Sequence, residues 1–147
     1  MLDKDQIAKL VDFAGAKHEI SALYLFGSHA SGRERSSSDI DLGVLFNEDI
    51  DGFARIDMET EISNILCKDV DLIDMKRSGP FLRHQIYKYG KPIYHDESDY
   101  AYIFRAKSIN EYLDDYEDLR ILRNAKQKEG TAPTVNLKEI KNRLNLE

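Results

Sequence analysis

Two short apolar runs, joined by a polar stretch that opens on glycine and closes on paired aspartates, constrain this chain more than any other feature. Ala22-Leu23-Tyr24-Leu25-Phe26 stops at Gly27-Ser28, and so brief an apolar run reads as a strand covered on both faces and central in a sheet. From Ser28 to Ser38 the chain is polar, with Gly32 and three consecutive serines, which predicts a turn or short helical loop. Asp39 to Phe46 then resumes as a strand. Side chains alternate across a strand, so Ile40, Leu42, Val44 and Phe46 share one face and Asp39, Asp41 and Gly43 the other. The first face packs and the second is free for chemistry.

The remaining pattern alternates helix and strand. Asp3 with Gln6 has the form of a capping box ahead of Ile7, Leu10, Val11 and Ala14, which predicts a helix over Asp3 to Lys17. Met58, Ile62, Ile65 and Leu66 predict a second helix from Ile50 to Leu66, and Val70 to Met75 a third strand. Pro80 opens and Gly90 stops a short helix carrying Leu82, Ile86 and Tyr89, after which Lys91 to His95 reads as a last strand. Tyr102, Ala106, Ile109, Leu113 and Tyr116 form one helical stripe within Asp99 to Leu122, so a long C-terminal helix is expected to pack on the sheet. Beyond Asn124 the chain turns polar, and Asn136 with Glu139 predicts a short tail helix bearing Leu137, Ile140 and Leu144. The organisation expected is one domain over 1–123, then a polar linker and tail over 124–147.

A chain of 147 residues holds one core and excludes a polymerase with separate palm, fingers and template domains. Its 27 acidic and 21 basic side chains give a net charge of -6, the wrong sign for a long nucleic acid partner. The single cysteine, Cys67, forms no internal disulfide, and no basic-then-apolar leader opens the chain, so a reducing cytoplasmic setting is expected. No apolar run approaches the roughly 20 residues that span a bilayer, so a soluble protein without a membrane partner is expected.

Chemistry concentrates in the pattern G-S-x10-D-x-D, Gly27-Ser28 followed by Asp39-Ile40-Asp41, with Asp71 on the next strand. Two carboxylates two residues apart on a strand project side by side, near enough to ligate hard cations such as magnesium through oxygen. Glycine lets a backbone approach a phosphate closely, and the serine after it offers a hydroxyl and an amide. A third carboxylate from Asp71 completes a metal site and accepts the proton of an incoming hydroxyl. Two cations about 4 Å apart then stabilise the attacking oxygen and the leaving pyrophosphate of an in-line displacement. Other features have plainer readings. His29 reads as a solvated loop histidine, Arg83 and Lys88 as a solvated helix face, and Cys67 as a small core residue. His18, His84 and His95 show no metal-ligand spacing. Seven of the eight tyrosines lie between Tyr87 and Tyr116, which reads as packing with a partner surface as the alternative.

The segments LYLFGSHASGRERSSSDIDLGVLF and VDLID resemble the minimal nucleotidyltransferases (MNT) of the DNA polymerase beta-like superfamily, and within it the antitoxin subunits of MNT/HEPN toxin-antitoxin pairs. The resemblance covers about Leu23 to Tyr94 by motif. It implies an α/β (α+β) nucleotidyltransferase fold: a small mixed sheet, helices packed against it and a long C-terminal helix. It further implies that Gly27 and Ser28 hold the nucleotide phosphates, that Asp39 and Asp41 hold two magnesium ions, and that Asp71 is the third carboxylate. ATP is then the substrate, and AMP passes to a tyrosine hydroxyl of a HEPN toxin, with which the chain forms a hetero-oligomer. The resemblance departs at His29 and Ser31, where many relatives carry arginine; Arg33 and Arg35 stand nearby. The toxin's own R-x4-H-x-Y pattern is absent. Two alternatives remain: a non-catalytic antitoxin that neutralises by binding, and a nucleotidyltransferase of aminoglycoside-like small molecules.

Overall fold

The structure, a computed structural model, describes residues 1–128; the expected tail helix with Leu137, Ile140 and Leu144 lies outside them. Its elements run α1 (Lys4–Gly15), β1 (Ile20–Phe26), α2 (Ser28–Ser31), β2 (Ile40–Phe46), α3 (Gly52–Leu66), β3 (Val70–Asp74), α4 (Pro80–Tyr89), β4 (Lys91–His95) and α5 (Tyr100–Lys128). Two compact units divide the chain, Met1–Asn110 and Glu111–Glu147, and of the second only the remainder of α5 is described.

The four strands form one sheet in the order β3-β2-β1-β4. β1 is interior, as its apolar run predicts, and is antiparallel to both β2 and β4, while β2 and β3 are parallel. The sheet is therefore mixed. β1 starts earlier than its apolar run because Ser21 is an extra residue in a bulge: Ile20 pairs with Phe46 but Ala22 with Leu45. The bulge returns Ile20 to the face of Leu23 and Leu25, and the displaced Ser21 hydroxyl donates to Asp96 Oδ2 at 2.9 Å.

Both faces of the sheet are covered. On one, Leu10, Phe13 and Ala14 of α1 and Met58, Ile62 and Leu66 of α3 pack on Ile40, Leu42, Val44 and Phe46. Burying each large apolar side chain there is worth about 1.5–3 kcal/mol. On the other, Ala22, Tyr24, Leu45, Met75, Ile86 and Ala101 form a second cluster beneath α4 and the start of α5. The second face of β2 is therefore available only at its first residues. Beyond them, a Cβ on Gly43 would stand 3.2 Å from Ile86 Cδ1 and 3.3 Å from Met75 Sδ, so this glycine lets α4 close onto the strand.

Local signals account for the helix ends. The Gln6 amide donates to Asp3 Oδ1 at 2.8 Å and the Asp3 amide to Gln6 Oε1 at 3.1 Å, the reciprocal pair of a capping box. α3 starts on Asp51, whose carboxylate accepts from the Ala54 amide at 2.8 Å. It ends on Cys67 in the left-handed region at φ 53°, and that reversal carries the thiol out to solvent rather than into the core as expected. On the outer edge of β3, Glu59 Oε2 accepts the Leu72 amide at 2.8 Å while Arg55 donates to the Leu72 carbonyl at 2.7 Å. An ion pair on α3 thus occupies main-chain groups that an edge strand leaves open.

α5 departs from expectation in length and in facing. It continues to Lys128 rather than Leu122 because the segment past Arg123 is built of helix-forming residues, with Lys126 and Lys128 complementing the helix C-terminus. Its buried residues are Ala101 and Ser108, with Phe104 half-buried against the second cluster. The expected stripe faces outward: Tyr102 is 65% and Tyr116 56% exposed, and Ile109 and Leu113 are exposed too. The inward side is instead marked by Ala101, which joins the second cluster, and by Ser108, whose hydroxyl accepts from Arg83 of α4. Among the described residues no helix is long and apolar enough to cross a membrane.

Candidate active site

Three strand ends meet where β1 stops and β2 and β3 begin. Phe26, the last residue of β1, is in register with Asp41, and Asp41 in turn with Asp71 across the parallel β2/β3 ladder. Neighbouring strands lie about 4.8 Å apart, so Asp41 and Asp71 stand side by side on one face, with Asp39 two residues earlier. Asp41 is half-buried; Asp39 and Asp71 are exposed. Main-chain bonds hold the start of β2, with the Ile40 amide donating to the Asp69 carbonyl at 2.9 Å.

Gly27 turns the chain out of β1 at φ +70°, ψ -149°, a region only glycine occupies readily. A Cβ there would overlap the Asp41 carboxylate and stand 3.0 Å from Asp41 Cγ. In this chain, then, the glycine makes room for a carboxylate, whatever it also does for a phosphate. Ser28 follows, half-buried, at the head of the four-residue α2. The Ala30 and Ser31 amides are already engaged by the Gly27 carbonyl, at 3.3 and 3.2 Å.

The electrostatics centre on Asp41. Burial raises its pKa above the ordinary carboxylate range, and the charges of Asp71 and then Asp39 push the same way, with His29 opposing them. Among the described residues no group of three or more His, Cys, Asp and Glu side chains stands preassembled as a metal cage. Asp39, Asp41 and Asp71 are nonetheless near enough for the charges of Asp71 and Asp39 to act on Asp41. Their oxygen donors, shared excess of negative charge and exposed outer members fit a hard divalent ion.

Two basic residues stand where their sequence did not place them. His29 is 1% exposed rather than solvated: a four-residue helix between two strands must turn one side to the sheet, and His29-Ala30 is that side. Arg83 is buried rather than on a solvated helix face. Its Nε donates to the Ser78 carbonyl at 3.0 Å, one terminal nitrogen donates to Ser108 Oγ at 3.2 Å, and its guanidinium lies over the Phe104 ring at 5.4 Å. Lys88 is exposed, as are Arg33 and Arg35. No periodicity over four residues announces the burial of His29, and the serine partner of Arg83 lies 25 positions away. The tyrosines divide: Tyr87 packs edge-on against Tyr24 with ring centres 5.4 Å apart, whereas Tyr89, Tyr102 and Tyr116 face outward. A cleft of about 300 Å³ between α1 and α3, lined by Phe13, Lys17, Glu61 and Ile65 among others, opens on the other side of the sheet from these acids.

The family described as Polymerase beta, Nucleotidyltransferase matches residues 8–99, the span that contains all four strands and every one of these acids. The chain belongs to this nucleotidyltransferase family. It is 32% identical to the protein adenylyltransferase MntA of Shewanella oneidensis over 111 residues, 76% of this chain and 78% of that protein. Among solved structures, a toxin-antitoxin complex with AMP-PNP matches this nucleotidyltransferase with a TM-score of 0.66 and 28% identity, covering 86% of this chain and 98% of the other. A tri-AMPylated Shewanella oneidensis HEPN toxin in complex with its MNT antitoxin matches with a TM-score of 0.61 and 26% identity, over 86% and 97% of the two chains.

Proposed function

We propose that this nucleotidyltransferase is an antitoxin-type protein adenylyltransferase, transferring AMP from ATP to a tyrosine hydroxyl of a partner HEPN toxin and releasing pyrophosphate. The observation that carries the reading is the register of Asp41 with Asp71 beside a glycine whose missing side chain leaves space for the Asp41 carboxylate. Likeness to an adenylyltransferase and to antitoxins bound to HEPN toxins supports the acceptor.

Gly27 and Ser28 present main chain and hydroxyl to the ATP phosphates. Asp39, Asp41 and Asp71 would hold two magnesium ions, which supply charge neutralisation at the attacking and leaving oxygens. Asp71, the exposed acid of the next strand, takes the proton of the tyrosine hydroxyl as its oxygen bonds to the α-phosphorus. The bond from that phosphorus to the bridging oxygen breaks, and the electron pair leaves with pyrophosphate. The half-buried Asp41 stays fixed against Gly27 and orients its neighbours. The single exposed thiol suits a reducing cytoplasm.

Incubating the neighbouring HEPN protein with the chain, ATP and magnesium and recording its intact mass tests the proposal. A gain of one or more AMP units is expected. Asp39→Asn should reduce the rate by more than the roughly 10–100-fold typical of groups one shell removed from a metal. Undiminished transfer by that variant refutes the site. The outward apolar residues of α5 favour a second reading, neutralisation by binding alone. It predicts that Asp39→Asn protein without ATP still silences the toxin, whereas the first predicts that it does not.

A further inference from the structure

The buried His29 belongs to no step above, yet it joins the two halves of the motif. Its Nε2 lies 3.1 Å from the Ser38 carbonyl. A carbonyl only accepts, so Nε2 carries the proton and donates across nine residues of loop. Among the described residues Nδ1 is buried and has no hydrogen-bond partner.

Resting on the adenylyltransferase reading, we infer that His29 is a positioning residue, whose bond to the Ser38 carbonyl sets where Asp39 and Asp41 stand relative to Gly27 and Ser28. Asp39 lies between two fixed points. Behind it, Ser38 is tied to α2 by His29; ahead of it, Ile40 is tied to β3 by its bond to the Asp69 carbonyl. The turn before Ser38 closes on itself, through the Arg35 amide to Ser38 Oγ at 2.7 Å and the Ser38 amide to the Arg35 carbonyl at 2.9 Å. Among the described residues no other hydrogen bond runs from that turn to α2, so the imidazole is the polar strut between Ser38 and the Gly27 bend. At 1% exposure the ring touches no substrate, which excludes a catalytic role. Packing alone would be met at lower cost by an apolar ring, since an imidazole there leaves one nitrogen unsatisfied.

Two variants separate the bond from the volume: His29→Phe fills the space without a donor, and His29→Gln keeps an N–H near Nε2. Each is measured for kcat and KM of AMP transfer and, without ATP, for divalent affinity from the rise in Tm on titration with manganese. His29→Phe should lower kcat and divalent affinity by about 10–100-fold with KM for the acceptor unchanged, and His29→Gln should stay within about threefold of the parent, the pattern of a group that orients ligands. Wild-type divalent affinity in the Phe variant, or equal losses in both, overturns the inference. Should neither variant fold, nitrogen-15 spectra of the unmodified protein decide it: protonation on Nε2 with slow exchange is expected, and protonation on Nδ1 alone overturns it. The unmodified protein distinguishes the two failures, because no AMP transfer by it sinks the adenylyltransferase reading while manganese titration and tautomer still report on His29.

Discussion

Replacing Gly27 by alanine puts a methyl group where the Asp41 carboxylate lies. The added carbon would overlap that carboxylate and stand 3.0 Å from Asp41 Cγ and 3.3 Å from Asp41 Cβ, so the acid must rotate or β1 and β2 must part. The backbone at φ +70°, ψ -149° adds a conformational cost of about 1–3 kcal/mol for a residue with a side chain. Gly32 supplies the control. It has nearly the same φ, +69°, but nothing lies within 4 Å of its added carbon, so alanine there costs only the left-handed penalty of about 1–2 kcal/mol. In a chain of this length about 1 kcal/mol moves Tm by roughly 3–4 °C. Gly32→Ala should therefore melt some 3–8 °C lower and still transfer AMP within about threefold of the parent, the acids being undisturbed. Gly27→Ala should lose at least as much stability and, with the carboxylate displaced by about 1 Å, on the order of 100-fold in kcat. Differential scanning fluorimetry gives Tm and initial rates of AMP incorporation give kcat. Equal activity losses in the two variants, or full activity in Gly27→Ala, would refute the argument that this glycine exists for Asp41.

Asp41→Asn should abolish transfer and yet raise Tm. Because the folded state holds the Asp41 pKa above its unfolded value, the ionised acid destabilises the fold at pH values above the folded pKa and ceases to do so as pH falls below the unfolded one, near 3.9. The Tm gain should thus be largest at neutral pH and shrink towards pH 4; a gain that grows on acidification contradicts the sign. Glu59→Ala removes the acceptor of the Leu72 amide and the partner of Arg55, at a cost of about 1 kcal/mol, and the exposed edge should raise light scattering on heating. Unchanged melting and scattering would show the ion pair to be incidental. Leu42→Ala, in the fully buried row of β2, should cost about 2–5 kcal/mol, read as the shift in urea midpoint.

The elements most legible in the sequence were those whose signals are local. The Ala22 to Phe26 run, the Asp3/Gln6 box, and Pro80 and Gly90 each specify structure within a few residues, and the strands and helices they mark are present. What stayed hidden depends on distant partners. Ser21 reads as a break in an apolar run until its bulge opposite Phe46 and Leu45 is known. His29 is polar and looks solvated until α2 is laid on the sheet, and Arg83 until Ser108 arrives from α5. On α5 the regular spacing of Tyr102, Ile109 and Leu113 points away from Ala101 and Ser108, the residues that are buried, one in the second cluster and the other against Arg83. The register of Asp41 with Asp71 follows from their positions on adjacent strands, but the sequence shows only half of what Gly27 does. A phosphate was its expected visitor, and the Asp41 carboxylate beside it could be recognised only in three dimensions.

The crossover that delivers Asp71 has a kinetic corollary. Asp41 and Asp71 are 30 positions apart in sequence and become neighbours only when β3 pairs with β2. Such non-local parallel pairing belongs to the slow part of a folding reaction. A chain in which β3 has not yet paired with β2 therefore lacks Asp71 beside Asp41, and the three acids come together only once that pairing has formed.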